Sequence, residues 1–277
     1  MIAPTRSPSG CSSTYTDNIF PAKTRKRLAS APVLWYNDSS FIMGESGMCT
    51  SIVANGKKTL VGWNLDLTGM QYKVVAERDK VYIACLDATE GWLPLFGANA
   101  RGDFVAMPTC WPHDARSNPV SGQEPNLIML DIDLLLGKKT LSEIREIAER
   151  ESVCSVPGLT FQAQLSDALG NVLQVVPGQG VRYMQAPKYA VMTNFSPFKG
   201  DAELHPWMGL DRYKTVSAML EQAGEDLDVQ GMLNVLQAVA QTVCPTVVSM
   251  VFDVAERTVY WCENRQFDKV QMHKMEE

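Results

Sequence analysis

The stretch MCTSIVANGKKTLVGWNLDL, residues 48–67, sets the reading of the fold. SIVA is apolar and strand-like, Asn55-Gly56 is a strong hairpin signal, and TLVGWNL supplies the returning strand. The pattern continues outward. QYKVVAE and KVYIACLD read as strands, and WLPLFGANARGDFVAMPT reads as strand, glycine-rich turn, strand. An apolar run, NLIMLDIDLLL, follows the loop at 112–125. Helix signals then begin with Thr140 and Glu143, a capping box ahead of LSEIREIAERE. LTFQAQLSD and VLQVV form a further hairpin around ALGN, and PKYAVMTN is a strand ending in the loop FSPFKG. Two helices come next. Tyr213, Val216, Leu220 and Ala223 share a face of the first. Val229, Met232, Leu233, Leu236, Val239, Ala240 and Val243 keep helical spacing in the second, with Asp228 as its N-cap. TVVSMVFD and TVYWCEN close the chain as a hairpin turning through 254–257. Hairpins flanking clustered helices indicate an α+β protein with mainly antiparallel sheets.

Composition narrows the function classes. The 277 residues are 45% hydrophobic and 20% charged, an ordinary globular mixture that argues against wholesale disorder. The net charge of -6 and pI ≈ 5.2 argue against a nucleic-acid binder. No apolar run approaches the ~18 residues of a membrane span. The seven cysteines (11, 49, 85, 110, 154, 244 and 262) are odd in number and scattered, with no CxxC pair, so free thiols in a reducing cytoplasm are expected. His113, His205 and His273 are the only histidines, and none sits at ligand spacing from another His or a Cys, so no metal is expected. No GxGxxG or Walker pattern supports a nucleotide, and no cofactor is expected.

The first 48 residues differ from the rest. They are rich in Ser, Thr and Pro and lack sustained periodicity. Their charges are Arg6, Lys23, Arg25, Lys26 and Arg27 against Asp17, Asp38 and Glu45. LASAPVLWY is short and broken by Pro32, unlike a secretory signal core. Residues 1–48 are therefore read as a leader or propeptide absent from the mature protein, by cleavage or by a start at Met48. Residues 49–277 are read as one domain.

If that leader is gone, Cys49 is the N-terminus. A free α-amine titrates near 7.7–8.0 and can serve as general base for the thiol on its own residue. That arrangement suits a thiol enzyme with so few histidines. The competing reading is a small buried hydrophobe, the usual fate of a cysteine.

Cys49-Thr50 followed by Gly62-Trp63-Asn64-Leu65-Asp66 resembles the opening of the choloylglycine hydrolase family of N-terminal-nucleophile hydrolases. That family comprises bile salt hydrolases and penicillin V acylases, with acid ceramidase and N-acylethanolamine acid amidase as relatives. VMTNFSPF at 191–198 is similar to a second family segment, and DRYKTVSAML at 211–220 to the family's arginine-bearing helix. LSDALGNVLQVV and SMVFDVAERTVYWCENRQFD are weaker matches, and together the motifs run in order across 49–277.

The resemblance implies a four-layer αββα sandwich with two antiparallel sheets. It implies Cys49 as nucleophile with its amine as base, and Asp66 as the carboxylate holding that amine. Asn194 would be the oxyanion-hole amide and Arg212 the cation beside the thiol. Each has a plain alternative: a solvated strand-end Asp66, an Asn194 capping the turn before Pro197, and a helix-surface Arg212. Thr109 is the position nearest the family's second oxyanion asparagine by rough register from GANARG. The main departure is Trp63, where the family usually has arginine, because tryptophan supplies no charge.

The implied activity is hydrolysis of a non-peptide linear C–N amide bond through a thioester acyl-enzyme, with self-cleavage after Met48 as one route to the free Cys49. A bile salt, penicillin V or an N-acyl amide would be the small-molecule substrate. The alternatives are an acyltransferase using the same acyl-enzyme and a catalytically silent homologue that binds an amide ligand. A homo-oligomer is compatible with all of these. Cys110-Trp111-Pro112-His113 is set aside as a Cys-His pair, because adjacent side chains on an extended segment point apart. The RGD at 101–103 is read as a turn.

Overall fold

The deciding stretch folds as a hairpin of β1 (Thr50–Asn55) and β2 (Thr59–Asp66) in the computed structural model, which describes residues 48–87, 91–110, 124–155, 161–200 and 202–277. The leader up to residue 47 and the Trp111-Pro112-His113 segment lie outside the described residues. Along the chain follow β3 (Tyr72–Ala76), β4 (Lys80–Asp87), β5 (Gly91–Asn99), β6 (Phe104–Ala106), α1 (Leu127–Leu135) and α2 (Leu141–Arg150). Then come β7 (Ala163–Ser166), β8 (Val172–Val176), β9 (Gly180–Met184), β10 (Tyr189–Met192), α3 (Leu210–Ala223) and α4 (Val229–Ala238). β11 (Thr246–Asp253), β12 (Thr258–Glu263) and β13 (Gln271–Lys274) complete the described elements.

The strands make two antiparallel sheets. The first has six strands in the order β10-β1-β2-β11-β12-β13, and the second runs β3-β4-β5-β6-β7-β8-β9. Period-two alternation decides which side chains meet between them. On β2, Val61, Trp63 and Leu65 enter the core shared with Ile83, Phe96 and Phe104 of the second sheet. Trp63 stacks on Phe96 with ring centroids 5.4 Å apart. The opposite face of β2 meets α4, where Leu60 packs with Met232 and Leu236, and the Asn64 amide donates to the Leu236 carbonyl at 2.8 Å. α3 and α4 cover the first sheet, and α1 and α2 cover the second. The layers are α, β, β, α, as the sequence resemblance implies.

Local signals explain most element ends. Thr140 and Glu143 form the reciprocal capping box of α2. Asp228 caps α4 by accepting from the Gly231 N–H at 2.7 Å. Asn55 is the last residue of β1 rather than a turn residue. Its side-chain amide donates to the carbonyls of Gly170 and Pro187, tying the hairpin to two distant loops.

Four elements differ from the sequence reading. NLIMLDIDLLL, left untyped ahead of the helix signals, is helical over 127–135 with Asn126 as its cap. It is apolar nearly all round, so periodicity does not distinguish it from a buried strand. α4 stops at Ala238, and Val243 is 92% exposed beyond it. β9 and β13 are short additions at sheet edges that the sequence reading passed over.

Candidate functional site

Strand register brings the site together. β1 and β10 are antiparallel with Ser51 opposite Met192, and continuing that register sets Cys49 opposite Asn194. On the other flank of β2, Asp66 pairs with Thr246 of β11. Cys49, Asp66 and Asn194 therefore sit at the same end of neighbouring strands. Arg212 reaches them from the first turn of α3, and Thr109 from the second sheet, just past β6.

Cys49 is 3% exposed and its thiol is unbridged. Its backbone N–H donates to Asn194 Oδ1 at 3.0 Å. The Asn194 amide nitrogen in turn donates to the carbonyl and hydroxyl oxygens of Thr109, at 2.8 and 2.9 Å. Arg212, 5% exposed, donates through Nη1 to the Cys49 carbonyl at 2.6 Å and to Thr50 Oγ1 at 2.9 Å. Its Nη2 donates to Asn194 Oδ1 at 2.7 Å. The structure thus brings all five expected residues into one buried cluster, and Arg212 is not a solvated surface arginine.

Asp66 is fully buried and accepts from Thr246 Oγ1 at 2.5 Å and from the Gln241 amide, while Arg212 Nη1 stands 3.9 Å from its Oδ2. Desolvation pushes its pKa up to about 7, outweighing the opposing pull of Arg212, Thr246 and Gln241. The Cys49 thiol is also pushed up, first by burial and then by the charge of Asp66. A hydrogen bond from the Asp66 backbone and the field of Arg212 act the other way and are outweighed. With Met48 attached, the site holds a neutral thiol.

The Cys49 nitrogen differs from expectation in its partner, which is Asn194 rather than Asp66. Joined to Met48, that nitrogen is a neutral amide with one N–H and offers no charge to a carboxylate. Trp63, at the departure from the pattern the resemblance rests on, lies fully buried between the sheets, and its indole N–H has no hydrogen-bond partner among the described residues.

Several residues that shape the site were not singled out from sequence. Thr246 and Gln241 hold Asp66, and Gly209 makes room for Arg212. A Cβ at Gly209 would lie 2.3 Å from Arg212 Nη2, and its φ of +89° suits glycine. A glycine just ahead of a helix was its one visible signal. Alongside the site, Asp211, Arg212, Thr215, Ala238 and Gln241 line a cavity of ≈ 150 Å³. No helix among the described residues is long and apolar enough to cross a membrane.

No family model matches the chain, and no curated protein matches it by sequence. Solved structures do. A cysteine-to-alanine mutant of the conjugated bile acid hydrolase from Clostridium perfringens superposes with a TM-score of 0.60 at 15% identity, over 82% of this chain and 92% of that one. An arginine-to-leucine variant of the same hydrolase gives 0.57 at 14%, over 82% and 92%. Penicillin V acylase from Agrobacterium tumefaciens gives 0.56 at 14%, over 78% and 83%. The likeness at this identity is one of fold. The chain has the two-sheet sandwich architecture of N-terminal-nucleophile hydrolases.

Proposed function

We propose that the chain is a cysteine amidohydrolase of the choloylglycine hydrolase type, with the same wider kinship to acid ceramidase and N-acylethanolamine acid amidase. It would cleave a non-peptide linear C–N amide bond of a small molecule once Cys49 is the N-terminal residue. The observation that carries the reading is the convergence of the Cys49 thiol and nitrogen with Asn194, Arg212 and Asp66 at one strand end.

In this reading the liberated α-amine of Cys49 takes the thiol proton. Sulfur attacks the acyl carbonyl, forming an S–C bond and an oxyanion. Asn194 and Thr109 supply the donors for that oxygen once substrate displaces their contact with each other; such a donor contributes ~2.7–4 kcal/mol in comparable hydrolases. The C–N bond breaks as the amine nitrogen receives the proton held by the Cys49 ammonium. Water, deprotonated by the same amine, then hydrolyses the thioester and restores the thiol. Asp66 stabilises the transient ammonium, and Arg212 anchors the Cys49 carbonyl and Asn194.

The test is intact mass of the purified protein together with turnover of penicillin V and a glycine-conjugated bile acid. A species beginning at Cys49 that turns over either amide and loses turnover in Cys49→Ala is expected. An active chain with residues 1–48 still attached overturns the mechanism. The buried, uncharged Trp63 favours a second reading, a silent homologue that binds an amide ligand. Binding of amides by a chain starting at Cys49, with no acylation of Cys49, would support it.

A further inference from the structure

We propose that Gln162 is a positioning residue for the oxyanion site, acting through Asn194; this rests on the amidohydrolase reading above. Gln162 lies just ahead of β7 and is fully buried. Its side-chain amide donates to the carbonyls of Thr193 at 2.8 Å and Phe195 at 3.2 Å, the two residues flanking Asn194. Its backbone N–H donates to the Pro108 carbonyl at 3.0 Å, beside Thr109, and its neighbour Phe161 bridges to Thr109. One residue therefore clamps both chain segments that carry the oxyanion donors. The third support of Asn194 is its own N–H, which donates to the Met208 carbonyl at 3.1 Å.

Asn194 lies two residues past the end of β10, and the clamp ties the carbonyls on either side of it to the second sheet. Gln162 Oε1 accepts no hydrogen bond from the described residues, although it is buried. Its N–H groups are paired with backbone carbonyls while its oxygen is not, so what the amide contributes at this position is donation. Methionine at this position keeps the length and loses both donors. The segment 193–195 is then released from the second sheet, and Asn194 and Thr109 lose their fixed separation.

The test contrasts two reactions at Cys49. Acylation by p-nitrophenyl acetate passes through an oxyanion, whereas alkylation by iodoacetamide is a direct displacement without one. Gln162→Met is expected to slow acylation about tenfold, below the 10²–10³ of deleting a donor outright, and to leave alkylation within about twofold. Gln162→Glu, which keeps one donor only while protonated, is expected to fall between them and to lose acylation rate as pH rises from 6 to 8. Equal slowing of both reactions, or acylation at the wild-type rate in Gln162→Met, overturns the proposal. If Gln162→Met does not fold, Gln162→Glu decides by the same ratio. If wild-type Cys49 is never acylated, the amidohydrolase reading fails. The clamp is then judged by hydrogen exchange of the Asn194 side-chain amide, which Gln162→Glu should accelerate and an absent clamp would leave unchanged.

Discussion

Gly209→Ala is a one-methyl change that separates backbone strain from displacement of the buried cation. Gly209 precedes α3 with φ 89° and ψ 23°, a left-handed conformation that costs an L-residue roughly 1–2 kcal/mol. The added Cβ would also stand 2.3 Å from Arg212 Nη2, 2.7 Å from Cζ and 3.1 Å from Thr193 Cβ. An exposed arginine would swing away at little cost. This one is held by the Cys49 carbonyl, Thr50 Oγ1 and Asn194 Oδ1, so moving it breaks at least one hydrogen bond to a charged group, worth about 1.5–3 kcal/mol. The summed expectation is about 2.5–5 kcal/mol of destabilisation. In an Arg212→Met background the guanidinium is gone and only the backbone cost of roughly 1–2 kcal/mol should remain. Urea denaturation of the four proteins at pH 7 measures the difference as a coupling of about 2 kcal/mol. Additivity within about 0.5 kcal/mol would show that the methyl and the guanidinium do not compete for the same space.

Two further outcomes follow from buried atoms. Asp131 of α1 is fully buried, neither carboxyl oxygen has a partner among the described residues, and desolvation holds its pKa well above the usual carboxylate range. Above the unfolded pKa of about 3.9 the unfolded chain ionises at this position while the folded chain stays protonated, so the group removes stability as pH rises. Asp131→Asn should therefore gain on wild type in denaturation free energy as pH rises from about 4 toward the raised folded pKa, and parallel curves would refute the assignment. Gly62→Val should cost roughly 1–3 kcal/mol, because a Cβ there meets Met232 Sδ at 2.7 Å and Leu236 Cδ2 at 3.4 Å, where α4 lies on β2. An unchanged melting temperature would mean that the helix is not seated on that glycine.

The hairpins were legible because alternation and turn chemistry agree residue by residue. β1 with β2, β7 with β8, and β11 with β12 all fall where the sequence places them. α1 was not, since burial on several sides erases the amphipathic stripe, and its type is decided by the sheet it covers. β13 is four residues long and takes its conformation from pairing with β12. In the site, Cys49 and Asp66 could be read as strand ends, and Asn194, Arg212 and Thr109 came from motif order. Gln241, Thr246 and Gln162 carry no local signature, and Gly209 shows only its place just ahead of a helix. Each matters through a partner brought close by the closed fold, and residue type alone does not announce it.

The charge balance of the site gives physical content to the proposed need for a free Cys49 nitrogen. With the peptide bond to Met48 intact, Arg212 is the nearby cation and Asp66 opposes it, so burial keeps the thiol protonated. In the proposed reading an ammonium replaces the amide N–H at Cys49. A second positive charge would draw Asp66 down from about 7 into its ionised form, since its pKa is held up by desolvation alone. The added cation would offset part of the carboxylate's field at the sulfur and favour the thiolate relative to the uncleaved chain. An arginine at position 63 would add a further cation; Trp63 adds none, and it occupies its place in the inter-sheet core against Phe96. The thiolate of this chain would therefore depend on its own α-amine more heavily than a site carrying that arginine.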